Sequence, residues 1–555
     1  MAFSVDHPAN ALLPGYQLGD YSGVLSRWNY INTANDLGTA AQVSYSFMAQ
    51  RPAYYLGTDD FLNFQPFSTD QMNGARQALS LWAEFANLTF VEVADDAYGG
   101  LGGQIRFGRG DTAYGGYAYY PGFLQQGGDV LLSNGASYLN EMTPGSTGFA
   151  LMLHETGHAL GLDHSFGSSP NLADFGIPDS KQYSLMSYTD VARPNLPYYQ
   201  QNGSSYSYGY TAPLVPETPM VYDIAAMQIL YGANGTTRPG DDLYSFVTSP
   251  VMLRTIWDAN GIDTLDLSNQ LRPNIVDLTP GSYSSIGYMT DPLADWPTSV
   301  ANAFRSAFPS ILDKLYNGQS NLGIAFNTLI ENVIGGVGSD VITGNDADNE
   351  IDGGTGDDLI HAGAGNDTLT GGAGNDTLDG GLGSDTAVYV GVRADYGLSK
   401  TPTGYSLSHL GGAGADGSDS LIDIEWLQFA DVLLKLGLTA TDFAGDGKSD
   451  ILWRNTATGQ NYLWKDGNSS LGQALTTLAD LNWKVVGIGD FAGDGKADIL
   501  WRHSVTGQNY LWKDGNSSLG QALTTLADLN WKVVGIGDFA GDGKSDILWR
   551  NTTTG

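Results

Sequence analysis

The run His154-Glu155-Thr156-Gly157-His158-Ala159-Leu160-Gly161-Leu162-Asp163-His164 carries metal-binding and ionisable groups at spacings that a helix makes useful. Side chains four apart share a helix face, so His154 and His158 can offer both imidazoles to one ion. Glu155 is turned to the side, where its carboxylate could take a proton from a metal-bound water. Gly161 stands where the helix should stop, because glycine adopts the left-handed conformation that reverses the chain. That reversal would return His164 as a third ligand. Three neutral imidazoles with an open fourth position suit one catalytic zinc ion, and the chemistry available there is attack of an activated water on a carbonyl. Two histidines on an apolar helix face are often only core residues. The third, at its offset behind a glycine, and the separate run Ser184-Leu185-Met186-Ser187-Tyr188 downstream, favour the metal.

Several elements must hold these groups in place. Residues 42–48 alternate like a half-buried strand, and residues 69–86 space Ala75, Ala78, Leu79, Trp82 and Phe85 as a helix behind a Ser68/Thr69 cap. Residues 88–93, 104–107 and 128–133 read as strands, residues 148–160 as the helix carrying the histidines, and 221–230 as a closing helix. This order predicts an α/β domain over 41–235, behind an N-terminal extension or propeptide at 1–40.

Six nonapeptides follow without a gap from Gly335, Gly344, Gly353, Ala362, Gly371 and Gly380. They fit the calcium-binding β-roll pattern, in which glycines expose carbonyl oxygens, the sixth-position aspartate supplies a hard carboxylate and the apolar eighth position points inward. The sixth positions are Asp340, Asp358, Asp367, Asp376 and Asp385; the second repeat departs, with Asn349 there and Ala347 in place of glycine. A β-sandwich/β-roll domain is expected over 236–437, with the nonapeptides at 335–388. Two near-identical 48-residue units start at Asp442 and Asp490, and a third starts at Asp538. They resemble FG-GAP or VCBS repeats, the blades of all-β propellers, and make 438–555 a third domain. Asp442, Asp446 and Asp450, then Asp490, Asp494 and Asp498, then Asp538, Asp542 and Asp546 fall at calcium-loop spacing, the alternative being ion-free Asp-Gly hairpins. Two units and a fraction cannot close a propeller, so either the chain is a fragment or a partner completes it.

The formal charge of −35 argues against nucleic acid and anionic lipid as partners. No run is long and apolar enough to span a bilayer. With no cysteine, stability outside a cell falls to the core and to bound metals. Residues 1–8 lack the basic and apolar regions of a secretory leader.

The His-Glu-x-x-His-x-x-Gly-x-x-His run followed by a methionine turn resembles the metzincin metalloproteases, and Ser-Leu-Met-Ser-Tyr resembles their serralysin form. The resemblance covers about residues 41–435. It implies Tyr188 as a further zinc ligand that swings away to help hold the oxyanion, and Met186 as the floor beneath the histidines. Residues 117–122 and 128–132 are similar to the strand bordering that family's cleft, where substrate adds as an extended strand. Residues 257–266 are similar to the segment before the roll, implying Asp258 and Asp263 as calcium ligands. The implied protein is a calcium-stabilised, zinc-dependent endopeptidase of broad specificity, monomeric and extracellular. Protein or peptide substrates, a proteinaceous inhibitor and a type I exporter are its implied partners. Two alternatives remain open: a calcium-dependent adhesin with a decayed protease domain, and a precursor whose residues 1–40 fill the cleft.

Overall fold

The computed structural model describes residues 7–14, 16, 24, 26–29, 36–95, 102–167, 170–248, 251–411, 416–436, 441–445, 448–494, 496–537, 539 and 544–555. The expected ligands Asp446, Asp538 and Asp542 lie outside the described residues. The chain divides into two compact units, residues 1–383 with 415–419, and residues 384–414 with 420–555. Among the described residues no helix is long and apolar enough to cross a membrane.

The first unit opens with β1 (Ala41–Phe47), β2 (Leu62–Gln65), α1 (Thr69–Phe85), β3 (Leu88–Glu92), β4 (Ile105–Asp111), β5 (Gly116–Ala118), β6 (Asp129–Ser133), α2 (Thr147–Leu160) and α3 (Val221–Tyr231). The sheet order is β3-β1-β4-β6-β5, with β2 on β4. β1 runs parallel to β3 and β4, and β4 parallel to β6, whereas β5 is antiparallel to β6 at the sheet edge. The strand expected at 104–107 extends to Asp111; β5 overlaps the 117–122 segment that the resemblance set at the cleft border, and neither it nor β2 is marked by periodicity. Each escapes pattern reading for a physical reason: β2 is mostly exposed, with Asn63 at φ 49°, and β5 spans only three residues.

Ser68 caps α1 by accepting from Gln71 N, and the Gln71 side chain accepts from Ser68 N in return. The indole of Trp82, fully buried, donates to Leu153 O at 3.3 Å and ties α1 to α2. α2 is capped by Ser146, which accepts from Phe149 N, and is buried along almost its whole length. Gly157 lets Met186 approach from below: a Cβ there would stand 3.0 Å from Met186 Sδ. Gly161 has φ 113°, and Leu162 N donates to Gly157 O while Gly161 N donates to His158 O. That is the double bond pattern of a reversed helix end. Leu12, Leu13, Tyr16 and Val24 of the N-terminal segment join the same core, and Trp28 Nε1 donates to Ala159 O at 2.9 Å.

Further along, parallel strands stack with an 18-residue step. Asn332–Ile334, Glu350–Asp352 and Thr368–Thr370 pair in one sheet. Ile275–Asp277, Val341–Asn345, Leu359–Gly365 and Thr377–Asp379 pair in the other. Two nonapeptides therefore make one turn of a roll, and Ile342, Ile351, Ile360, Leu369 and Leu378 are buried between its sheets.

In the second unit, Trp483–Gly489, Asp498–His503, Asn509–Trp512 and Gly520–Leu523 form one four-stranded antiparallel blade. Arg454 lies over the Trp501 ring and Arg502 over Trp549, with 4.8 and 4.9 Å to the centroids, so successive repeats stack through an arginine and a tryptophan. Trp501 is buried, whereas its counterpart Trp453 is 48% exposed.

Gly161→Ala forces a side chain into the left-handed region and drives its Cβ onto the carbonyl oxygen of Ser26. The expected cost is about 2–3 kcal/mol, read as a drop in the melting temperature of the first unit; an unchanged value would contradict the role given to this turn.

Candidate active site

The three imidazoles are oriented by main-chain carbonyls before any ion is considered. His154 Nδ1 lies 2.9 Å from Leu185 O and His158 Nδ1 lies 2.7 Å from Leu162 O. A carbonyl only accepts, so both Nδ1 atoms carry the proton and both Nε2 lone pairs are left to coordinate. His158 Nε2 and His164 Nε2 are 3.1 Å apart, and one ligand atom from each of the three histidines falls within 4.8 Å of the others. Two nitrogens on a tetrahedral zinc with bonds of about 2.0–2.1 Å stand roughly 3.3 Å apart, so the donor set fits that ion. Burial lowers the pKa of all three, His158 to about 4, which keeps the imidazoles neutral and ready to bind.

Glu155 is 3% exposed, its Oε2 is buried without a hydrogen bond, and burial pushes its carboxyl up to about 8. A carboxylate in that condition calls for a cation or a bound water beside it. Met186 is fully buried beneath α2. Its turn is pinned by Asp223 of α3: Ser184 Oγ donates to Oδ1 at 2.6 Å, and Leu185 N and Met220 N donate to Oδ2 at 2.6 and 2.9 Å. Burial raises the Asp223 carboxyl to about 6 against those bonds. Tyr188 is 64% exposed; its ring lies 4.7 Å from that of His164 and 4.9 Å from that of Phe166. A cavity of about 360 Å³ opens beside Glu155, lined by Tyr114, Gly116, Tyr138, Leu151, Tyr188 and Val215 among others. No described residue from 1–40 lines it; Leu12 O instead accepts from Asp163 N behind the His164 turn, at 2.8 Å.

The roll carboxylates form ladders. Asp340 N donates to Asp358 Oδ1, Asp358 N to Asp376 Oδ1, and Asp376 N to Asp419 Oδ1. In the alternate column Asn349 N donates to Asp367 Oδ1, and in the second unit Asp385 N donates to Glu425 Oε2. The Oδ2 atoms of Asp358 and Asp376 are buried without hydrogen bonds, and a Cβ on Gly353 or Gly371 would fill the space beside them. An oxygen-ligated cation such as Ca²⁺ fits there. Asp340 differs, since both its oxygens accept from Asn274. Asn349 supplies its own donors, to Glu331 O and Asn345 Oδ1, which accounts for an amide in place of a carboxylate. Asp258 and Asp263 do meet, joined by Asp242, which sequence reasoning missed because nothing in its local pattern marks it.

In the 48-residue repeats the carboxylates serve the loops. Asp442 Oδ1 accepts from Gly445 N, Asp450 Oδ2 from Phe443 N, and Asp546 Oδ2 from Phe539 N. In the central repeat Asp490 Oδ1 accepts from Gly493 N and Asp494 N, and Asp498 from Ala492 N and Asp514 N. Burial, then Asp514, raises the pKa of Asp494.

Two buried histidines on α2 and a half-buried third behind its glycine stop, followed by a methionine turn, make a zinc-type donor set, and the matrixin family model matches residues 63–191. The RTX calcium-binding nonapeptide repeat matches residues 327–360 and 352–387, and an FG-GAP-like repeat matches residues 442–501. In sequence and domain content the chain is similar to the serralysins. Serralysin of Proteus mirabilis is 33% identical over 359 residues, covering 58% of this chain and 63% of that protein. Serralysin B of Dickeya chrysanthemi is 32% identical over 334 residues, covering 56% and 60%. Metallopeptidase AprA of Pseudomonas marginalis is 30% identical over 375 residues, covering 63% and 66%. The chain thus spans less than two thirds of the length of each of these curated relatives.

Burial pushes the cation-free Asp358 and Asp263 carboxyls up to about 7, above their ordinary 3.8. The folded roll therefore holds protons that the unfolded chain has released, and its stability without cation falls as pH rises from about 4 through 7. In excess EGTA the roll should melt several degrees lower near pH 8 than near pH 5, and saturating calcium should remove that loss. A melting temperature in EGTA that rises with pH would contradict the site.

Proposed function

We propose that this chain is a zinc-dependent endopeptidase that hydrolyses internal peptide bonds of proteins with broad specificity, is stabilised by calcium and works outside the cell. The observation that carries the reading is the convergence of three neutral imidazoles beside a buried carboxylate with an unsatisfied oxygen, at the mouth of an open cavity. His154, His158 and His164 hold the ion, which when bound polarises a water and the peptide carbonyl. Glu155 accepts the water's proton and passes it to the departing amine nitrogen. Tyr188 stands beside His164, and its hydroxyl would serve as a further ligand to a bound zinc or as a donor to the carbonyl oxygen as charge develops. The edge strand β5 receives the substrate as an added strand, and such backbone pairing reads little of the side-chain sequence.

The division of labour follows the repeats: residues 41–235 catalyse, 236–437 fold around calcium through Asp258, Asp263, Asp358, Asp367, Asp376 and Asp385, and 438–555 form blades. Calcium in the blade loops at Asp490, Asp494 and Asp498 belongs to the same proposal. An acidic roll that needs calcium to fold would stay open in a low-calcium cytosol and close outside, as a type I exporter requires. The complete set of ligands and base argues against a decayed domain serving only adhesion.

The test is casein hydrolysis in calcium buffer by the wild type beside Glu155→Ala. The wild type should cleave, a zinc chelator should stop it, and the variant should lose at least about 100-fold. Equal cleavage by both proteins, or none by either when folded and zinc-loaded, would overturn the proposal.

A further inference from the structure

The third imidazole is held differently from the other two. His154 and His158 each turn Nδ1 towards a backbone carbonyl, whereas among the described residues no carbonyl takes Nδ1 of His164. His164 is held by its main chain and by packing: its N–H donates to Asp163 Oδ1 at 2.8 Å, and its ring stacks on Phe166 with centroids 5.0 Å apart. The same carboxylate oxygen accepts the hydroxyl of Tyr120, also at 2.8 Å. Tyr120 lies in the connection from β5 to β6, and its ring stands edge-on to His158, with centroids 5.6 Å apart and planes at 89°. One oxygen therefore joins the backbone of the third ligand to a side chain from the border of the cleft. Asp163 is anchored from behind as well, by its N–H to Leu12 O.

We propose that Tyr120 and Asp163 form a clasp that positions His164, so that the metal affinity of the triad depends on a phenol carried by the β5–β6 connection. Neither residue touches the reacting atoms in this account; both are positioning residues, and the inference rests on the zinc reading above. A ligand without its own orienting hydrogen bond must borrow rigidity from its backbone, and partners at this remove typically change metal affinity by about 10–100-fold.

Zinc affinity, measured by competition with a chelator, tests this without any need for proteolysis. Tyr120→Phe keeps the ring and removes only the hydroxyl; it should weaken zinc binding about 10-fold, and Asp163→Ala up to about 100-fold. The double variant should be no weaker than Asp163→Ala alone, because both changes break one link. Asp163→Asn keeps an acceptor oxygen and should recover most of the loss. Unchanged affinity in Tyr120→Phe, or losses that simply add in the double variant, would overturn the clasp while leaving the zinc site intact. A wild type that takes up no zinc would overturn the reading beneath it, and the clasp as well.

Discussion

The carbonyl oxygens of Leu185 and Leu162, which take the Nδ1 protons of His154 and His158, set the constraint on which the rest of the site depends. They choose the tautomer that points both Nε2 atoms inward, and each is delivered by a chain reversal elsewhere. Leu162 O exists in that place because Gly161 turns the chain at the end of α2. Leu185 O is there because Asp223, buried at the start of α3, collects the amide and hydroxyl groups of the methionine turn. A buried carboxylate with that many donors is costly to disturb, since removing it leaves several buried groups unpaired. The sheet, α1 and the N-terminal segment pack around α2 and so hold the frame in which these two oxygens sit.

A second constraint is charge. A chain with 60 acidic and 25 basic side chains must separate its carboxylates or place cations between them. The roll does some of both. Asp358, Asp367 and Asp376 each give one oxygen to a backbone N–H of the neighbouring turn, and Asp358 and Asp376 keep the other oxygen buried and unbonded. The ladder is therefore half complete as protein, and a cation taken up there would couple its binding to folding. Where the pattern departs, at Asn349, an amide closes the turn from within. The blades solve the problem another way, with Lys496 set 3.6 Å from Asp514 and Lys448 set 3.2 Å from Asp466.

Helix periodicity and a glycine stop made the triad legible, because the groups that matter lie within one turn and one reversal of each other. The roll was legible because a nine-residue period fixes both strand spacing and the direction of Ile342, Ile351 and Ile360. Legibility ended where contact depends on tertiary approach. Asp223 reaches Ser184 across 39 residues and Tyr120 reaches Asp163 across 43, and no local pattern announces either. Asp242 joins Asp258 and Asp263 only because strands of the roll stack. Asp419 and Glu425 continue the carboxylate ladders from outside the nonapeptide run, where the period no longer points to them.

X-ray absorption at the zinc edge of the purified protein reaches the central claim most directly. The account predicts one zinc per chain bound by three imidazole nitrogens at about 2.0–2.1 Å, with oxygen completing the shell. A protein that holds no zinc, or holds it in an oxygen-only shell, would contradict it.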